Sequence, residues 1–220
     1  GLDTGEKVTQ FVVENVTNDS FFEKLGISPE TKFMSFLLEN NFLGNKTGKG
    51  FYEKTNQKDS NGKTIINALD LKTLEYKPST RPKTPFLKSA KAIEDLKKRM
   101  AFIIDHEALE GSFLKDYFAS IFAYAAQRVP EISDQYYPVD DAMRAGYVWD
   151  YGPFEYWDLV GFEKGISMIE FAGESVPDWV TEMQKLGAYQ FYKYEKGVRK
   201  FFDINRKQYV TVPGSDAFII

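Results

Sequence analysis

The chain repeats itself, and the repeat limits its possible folds more than any other feature. Gly1-Leu2-Asp3-Thr4-Gly5 and Gly161-Phe162-Glu163-Lys164-Gly165 share a glycine, an apolar residue, an acid, a polar residue and a second glycine. With no gap, Phe11 then falls on Phe171 and Glu14 on Glu174. Downstream, Phe51-Tyr52-Glu53-Lys54 meets Phe191-Tyr192-Lys193-Tyr194, and Gly62-Lys63 meets Gly197-Val198. Asp70 to Tyr76 meets Asp203 to Tyr209, with Asp and Tyr at the same spacing around a turn. Similarity kept in one order along a chain marks a duplicated unit. The unit reads as helix, helix and a small β-meander.

The local signals agree with that order. Asp3 and Glu6 have the spacing of a capping box, which predicts a helix from Asp3 to about Asn18. Val8, Phe11, Val12 and Val16 share one face of it. Ser28-Pro29-Glu30 reads as a second helix start, and Asn40-Asn41 as its end. Lys58 to Lys63 is a turn between two strand-forming runs, and a further turn at Asp70 leads into a third. Lys77 to Pro85 holds three prolines and is the expected linker. The expected domains are therefore 1–85 and 86–220.

In the second domain, Leu87 to about Glu110 and Ser112 to Arg128 read as long helices. A shorter helix ends at Gly146, and another runs from Pro153 to Gly161. Further helical stretches cover Ile166 to Phe171 and Pro177 to Leu186, before strand and turn signals return. The first copy has nothing to match the long helices ahead of Gly161. Gly1 is therefore expected to open midway through its unit, leaving apolar faces that the second copy covers or that stay exposed. The apolar ending Ala217-Phe218-Ile219-Ile220 fits a cut through a longer protein.

Composition excludes several function classes. Hydrophobic residues make up 43% and aromatics 16%, enough for a packed core. A net charge of −4 gives no basic face for nucleic acid. The absence of cysteine removes disulfides, thiolate nucleophiles and cysteine-ligated metals, and fits a reducing, cytoplasmic setting. The first residues have no signal-peptide character. No run of eighteen apolar residues occurs, so no membrane span is expected. No cluster of His, Asp and Glu has metal-ligand spacing.

Leu43 to Lys54, "LGNKTGKGFYEK", invites a phosphate-loop reading that its spacing defeats. Gly44 and Gly48 flank three residues rather than four, and Lys49 is followed by Gly50 rather than by Ser or Thr. Phe51-Tyr52 favours a strand, so the segment reads as the approach to the first meander. Its counterpart "LGAYQFYKYEK" keeps Phe-Tyr and lacks the lysine–glycine cluster, so whatever Lys46 and Lys49 do belongs to the first copy alone. His106, the only histidine, lies near Glu107 and Glu110 in a stretch read as helical, and is taken as structural rather than as a proton-transfer group.

Two stretches carry a family resemblance. "GNKTGKGFYEK" resembles the glycine-rich signature of the C-terminal domain of 3-hydroxyacyl-CoA dehydrogenases. Val139 to Gly161, "VDDAMRAGYVWDYGPFEYWDLVG", resembles that domain's other signature, in which an acidic pair and Ala-Met precede Gly-Pro-Phe-Glu and Asp-Leu-Val-Gly. The resemblance implies a mainly α fold of the 6-phosphogluconate dehydrogenase C-terminal type, duplicated here, each copy with a small antiparallel meander. It implies that the parent protein oxidises a 3-hydroxyacyl-CoA with NAD in fatty-acid β-oxidation. A separate nicotinamide domain of the same chain supplies the catalytic His–Glu pair and holds the cofactor, so this region carries no catalytic residue and binds no cofactor itself. The helical copies close the substrate cleft and pair with each other or in a homodimer.

The resemblance also names candidate substrate contacts. Tyr151, Gly152, Pro153 and Phe154 match the motif that borders the acyl pocket, and Lys46 and Lys49 are candidates for CoA phosphates. Family members place a substrate-holding asparagine in the first helix of the domain; Gly111 stands there in the second copy. Two other readings remain open at this point: a non-catalytic helical interaction module, and a CoA-thioester binder in its own right.

Overall fold

A computed structural model describes residues 1–19, 21, 32–80 and 84–215. The chain divides into two compact units, Gly1–Lys83 and Thr84–Ile220. The described residues form nine helices of one turn or more of α-type and two three-stranded antiparallel sheets.

Unit 1 opens with α1 (Leu2–Asn15). The capping box expected from Asp3 and Glu6 does not form. Helix α1 starts a residue earlier, after Gly1 and without a side-chain cap. Asp3 instead holds Lys46 Nζ at 2.6 Å. The second helix start at Ser28 lies outside the described residues; α2 spans Lys32–Glu39. It ends where Asn41 turns left-handed, and Phe42 N–H bonds Leu37 O at 2.8 Å. A short 3₁₀ turn, Asn45–Thr47, follows. The sheet comprises β1 (Tyr52–Lys58), β2 (Thr64–Leu69) and β3 (Tyr76–Pro78), in that order. The linker is thus shorter than its prolines suggested, because Lys77 and Pro78 pair with Ala68 and Asn67 on an edge strand. Proline tolerates that position because an edge strand needs only one row of bonds.

Unit 2 breaks the expected helix over Leu87–Glu110 in two places. Helix α3 (Pro85–Ala92) gives way to α4 (Leu96–Ile104) at Asp95, whose carboxylate accepts from Lys98 N–H at 2.7 Å. Such a cap starts a new helix by satisfying an end N–H. His106 then lies in the loop before α5 rather than within a helix. Its Nδ1 accepts from Ala108 N–H at 3.1 Å, and its ring sits 4.5 Å from that of Phe86.

Helix α5 (Leu109–Ile132) continues past the expected stop and contains Pro130. A proline there leaves the carbonyl four residues back without its helical donor. The Trp179 indole N–H donates to that carbonyl, Ala126 O, at 3.0 Å. Helix α6 (Tyr137–Tyr147) ends at a left-handed Val148, not at Gly146, which is helical. Helices α7 (Pro153–Val160), α8 (Phe162–Phe171) and α9 (Asp178–Lys185) follow. The second sheet comprises β4 (Tyr192–Glu195), β5 (Val198–Asp203) and β6 (Gln208–Thr211). The core is aromatic: Trp157 stacks on Phe122 at 5.2 Å, and Phe191 meets Tyr136, Phe154, Trp157 and Trp179.

The two sheets repeat one hydrogen-bond plan. Phe51 O and Phe191 O accept from Leu69 N–H and Phe202 N–H. Asp70 Oδ1 accepts from Lys72 and Thr73 N–H, and Asp203 Oδ1 accepts from Asn205 and Arg206 N–H. Leu74 and Lys207 are both left-handed. The Tyr76 hydroxyl donates to Gly50 O, and the Tyr209 hydroxyl to Gln190 O. The helix that precedes each sheet ends in the same way, since Ala188 N–H bonds Met183 O as Phe42 N–H bonds Leu37 O.

Candidate functional site

The second signature, Val139–Gly161, folds into a buried polar junction of α6, α7 and β4. Asp140 projects from α6 onto the start of α7, where Phe154 N–H donates to Oδ1 at 3.0 Å and Glu155 N–H to Oδ2 at 3.2 Å. The Tyr192 hydroxyl donates to the same Oδ2 at 2.8 Å. A helix start presents N–H groups without internal partners and favours a negative charge, so one acid fixes two elements. Asp140 is fully buried, and this burial pushes its carboxyl up to about 7. Asp140 thus caps the helix that follows its own.

Glu155 closes the same helix start by accepting from Gly152 N–H at 2.9 Å. Arg199 reaches Glu155 at 2.8 Å and Asp141 at 3.3 Å, and lies 4.1 Å from the centre of the Tyr192 ring. Arg144 pairs with both Asp141 and Glu155. One helical turn on, Asp158 accepts from the N–H groups of Phe191 and Tyr192, each at 2.8 Å. Burial pushes its carboxyl up to about 7 as well.

This junction takes up three of the four residues assigned to the acyl pocket. Pro153 and Phe154 are buried, and Gly152 is pressed against Asp140, whose Cα lies 2.3 Å from where a Cβ would stand. Tyr151 alone reaches solvent, with its ring 5.7 Å from that of Tyr156. Gly111 is held as closely, since a Cβ there would stand 2.1 Å from His106 O. An asparagine could not occupy this position without moving that loop.

In unit 1 the glycine-rich segment forms a tight loop. Gly44 and Gly48 take positive φ angles, and Gly44 N–H bonds Lys49 O at 2.8 Å. Both candidate lysines are engaged. Lys46 pairs with Asp3, and its hydrogen bond lowers that carboxyl below the usual range. Lys49 pairs with Glu53 at 2.9 Å and lies over the rings of Phe42 and Tyr76, at 4.5 and 4.0 Å. The loop opens into β1, so it lacks the helix N-terminus that a dinucleotide's pyrophosphate uses. Beside the loop lies an open groove of about 1460 Å³. Among the described residues no group of three or more His, Cys, Asp or Glu could hold a metal ion, and no helix is long and apolar enough to cross a membrane.

The chain is similar to curated proteins. It is 34% identical over 203 residues, 92% of its length, to the Probable 3-hydroxyacyl-CoA dehydrogenase of Bacillus subtilis. It is 28% identical over 129 residues, 59% of its length, to the Putative fatty acid oxidation complex trifunctional enzyme of Rickettsia prowazekii. The protein of that name from Rickettsia felis is 24% identical over 183 residues, 81% of this chain. The chain spans 24%, 16% and 23% of these three relatives. No family model matches. No solved structure matches.

Sequence reasoning singled out the signature but not the residues that hold it together. Asp158, Tyr192 and Arg199 gave no sequence signal as partners. Arg199 meets Asp141 across 58 positions and Tyr192 meets Asp140 across 52. Only the acidic pair in an otherwise apolar run, Val139 to Met143, hinted that one acid turns inward.

Proposed function

We propose that this chain is the C-terminal helical region of an NAD-dependent 3-hydroxyacyl-CoA dehydrogenase of fatty-acid β-oxidation. The similarity to the Bacillus subtilis protein over 92% of the chain carries this reading. The two signature stretches support it, and the shared hydrogen-bond plan of the two sheets supports a duplicated unit, with 1–85 and 86–220 as its copies. In this reading the nicotinamide domain lies elsewhere in the same cytoplasmic polypeptide, holds NAD and supplies the acid–base pair. This region closes the cleft around the 3-hydroxyacyl-CoA and provides a helical pairing surface, within one chain or in a homodimer. Lys46, Lys49 and Tyr151 are the candidate contacts whose polar ends reach the surface, whereas Gly152, Pro153 and Phe154 shape the start of α7.

For unit 2, a second reading has an observation in its favour. Gly111 packed on His106 leaves no space for a substrate-holding asparagine. We therefore assign unit 2 a largely scaffolding role, with Tyr151 as its one candidate contact, and leave the rest of the substrate contact to the first copy and the nicotinamide domain.

The test compares two proteins. The full-length protein should oxidise NADH with acetoacetyl-CoA at an ordinary enzymatic rate, about 1–10³ s⁻¹. Residues 1–220 alone should leave the NADH absorbance unchanged. Turnover by residues 1–220 alone, or none by the full-length protein, would overturn the proposal.

A further inference from the structure

Asn61-Gly62 is the only Asn-Gly step in the chain, and it lies at the tip of the β1–β2 hairpin. Both residues are exposed. Gly62 is left-handed, with φ of 76°, and its N–H donates to Asp59 O at 3.0 Å. Asp59 Oδ1 accepts from Asn61 N–H and from Lys63 N–H, each at 2.9 Å. Asp59 N–H closes the loop on Lys63 O at 2.8 Å. All of these bonds act on backbone N–H groups. Among the described residues none engages the side-chain amide of Asn61. An aspartate turn of this kind is held by its own local bonds, and a hairpin tip opens more readily than the strands behind it.

No other asparagine combines these features. Each of them is followed by a residue with a side chain, which crowds the approach of that residue's nitrogen to the amide carbon. Asn15, Asn40 and Asn67 also have their amides held, by Phe11 O, Phe36 O and Glu53. The matching hairpin of unit 2 turns on Lys196-Gly197, which carries no amide side chain.

We propose that Asn61 is a site of spontaneous deamidation whose rate is governed by the Asp59 turn. The Gly62 nitrogen attacks Asn61 Cγ as its N–H proton is removed by solvent base. A new C–N bond forms, the Cγ–Nδ2 bond breaks, and Nδ2 leaves as ammonia with one added proton. The product is a five-membered succinimide. Water then adds to either ring carbonyl and opens the ring, leaving aspartate or isoaspartate at position 61. Nothing is oxidised or reduced, and water is the only co-reactant. In the folded turn the Gly62 N–H is tied to Asp59 O, and Asp59 Oδ1 fixes the backbone on both sides of it. Those bonds must release before the nitrogen can turn onto Cγ, so Asp59 slows the reaction. Either product adds a carboxylate beside Asp59, and isoaspartate also lengthens the main chain within the turn.

Peptide mapping of the full-length protein by mass spectrometry, after incubation in neutral buffer, tests the proposal. The peptide that holds Asn61 should gain one mass unit, and fragmentation should show isoaspartate in excess of aspartate. Asn61→Gln should abolish the gain, because closure to the larger ring is far slower. The synthetic peptide 56–66, which lacks the sheet, should react about tenfold faster than the protein, the effect of losing two or more hydrogen bonds of ordinary net strength. Asp59→Ala should bring the protein close to the rate of the peptide and leave the peptide itself nearly unchanged. No mass gain at Asn61, a gain without isoaspartate, a protein as fast as the peptide, or a protein rate indifferent to Asp59→Ala would each overturn the proposal.

Discussion

Unit 1 and unit 2 build their sheets from the same bonds and surround them differently. Both sheets close a turn on an aspartate, reverse through a left-handed residue and tie a tyrosine hydroxyl to the backbone before the first strand. In unit 2, α6 and α7 lie over that sheet, Tyr192 is enclosed and an acid satisfies its hydroxyl. In unit 1 the equivalent face opens onto the groove. The backbone plan of a small sheet is therefore separable from its burial. The plan is set by local turn chemistry, and the burial depends on which helices are present.

That contrast can be broken at several points. The largest effect is expected at the paired glycines. Gly165→Ala drives a methyl into Trp157 and should destabilise unit 2 by about 2–3 kcal/mol. Gly5→Ala, in a helix interior, meets no described atom within 4 Å and should stabilise unit 1 by about 0.5–1 kcal/mol. All three tryptophans lie in unit 2, so tryptophan fluorescence in a urea titration reports that unit, and hydrogen exchange of α1 reports the other. Equal effects at the two glycines would remove the contrast.

Asp140→Ala should follow closely, at about 2 kcal/mol, because it leaves two helix N–H groups and the Tyr192 hydroxyl buried without partners. A smaller difference separates the tyrosines. Tyr192→Phe should destabilise unit 2 by about 1–2 kcal/mol, and Tyr52→Phe should change residues 1–220 by less than about 0.5 kcal/mol.

The smallest expected effect is a divergence with pH. The Asp140 carboxyl is raised from 3.8 to about 7, so the folded unit holds the proton more tightly than the unfolded chain. Its contribution is complete below about pH 4 and is lost as pH rises through about 7. Asp70 behaves in the opposite sense. Hydrogen bonds from Thr73 N–H, the Lys77 ammonium and Lys72 N–H lower its carboxyl to about 2. Its contribution is present above about pH 4 and is lost as pH falls toward about 2. Tryptophan-detected urea midpoints should therefore fall between pH 5 and pH 8, and Asp140→Asn should reduce that slope, leaving the part due to Asp158, whose carboxyl is raised to about 7 as well. Amide exchange in the Asp70 turn should instead quicken on acidification.

Some elements were legible because their causes are adjacent in sequence. Pro153 fixes its own φ at a helix start, Gly187 takes a left-handed φ at a helix end, and Asp70 and Asp203 accept from N–H groups two or three residues on. Other expectations failed because a distant partner or a competing cap intervened. Asp3 was drawn off its expected cap by Lys46, the long helix over Leu87–Glu110 was divided at Asp95, and α5 ran through Pro130 with Trp179 supplying the missing donor. The exposed face of α1 follows the same logic: Val8 and Phe11 share an apolar stripe as the periodicity predicts, yet both remain exposed.

The sequence alone determined the order of helices and meanders, the two related sheets and the two signature stretches, because turn and cap chemistry and hydrophobic period act over one or two turns of chain. The tertiary structure decided that Asp140 is an internal cap rather than a surface acid, that Gly152 and Gly111 are points of close approach, and that Tyr52 and Tyr192 differ in environment. Those outcomes depend on groups brought together from positions far apart in the chain, and nothing in the local pattern specifies which face will be covered.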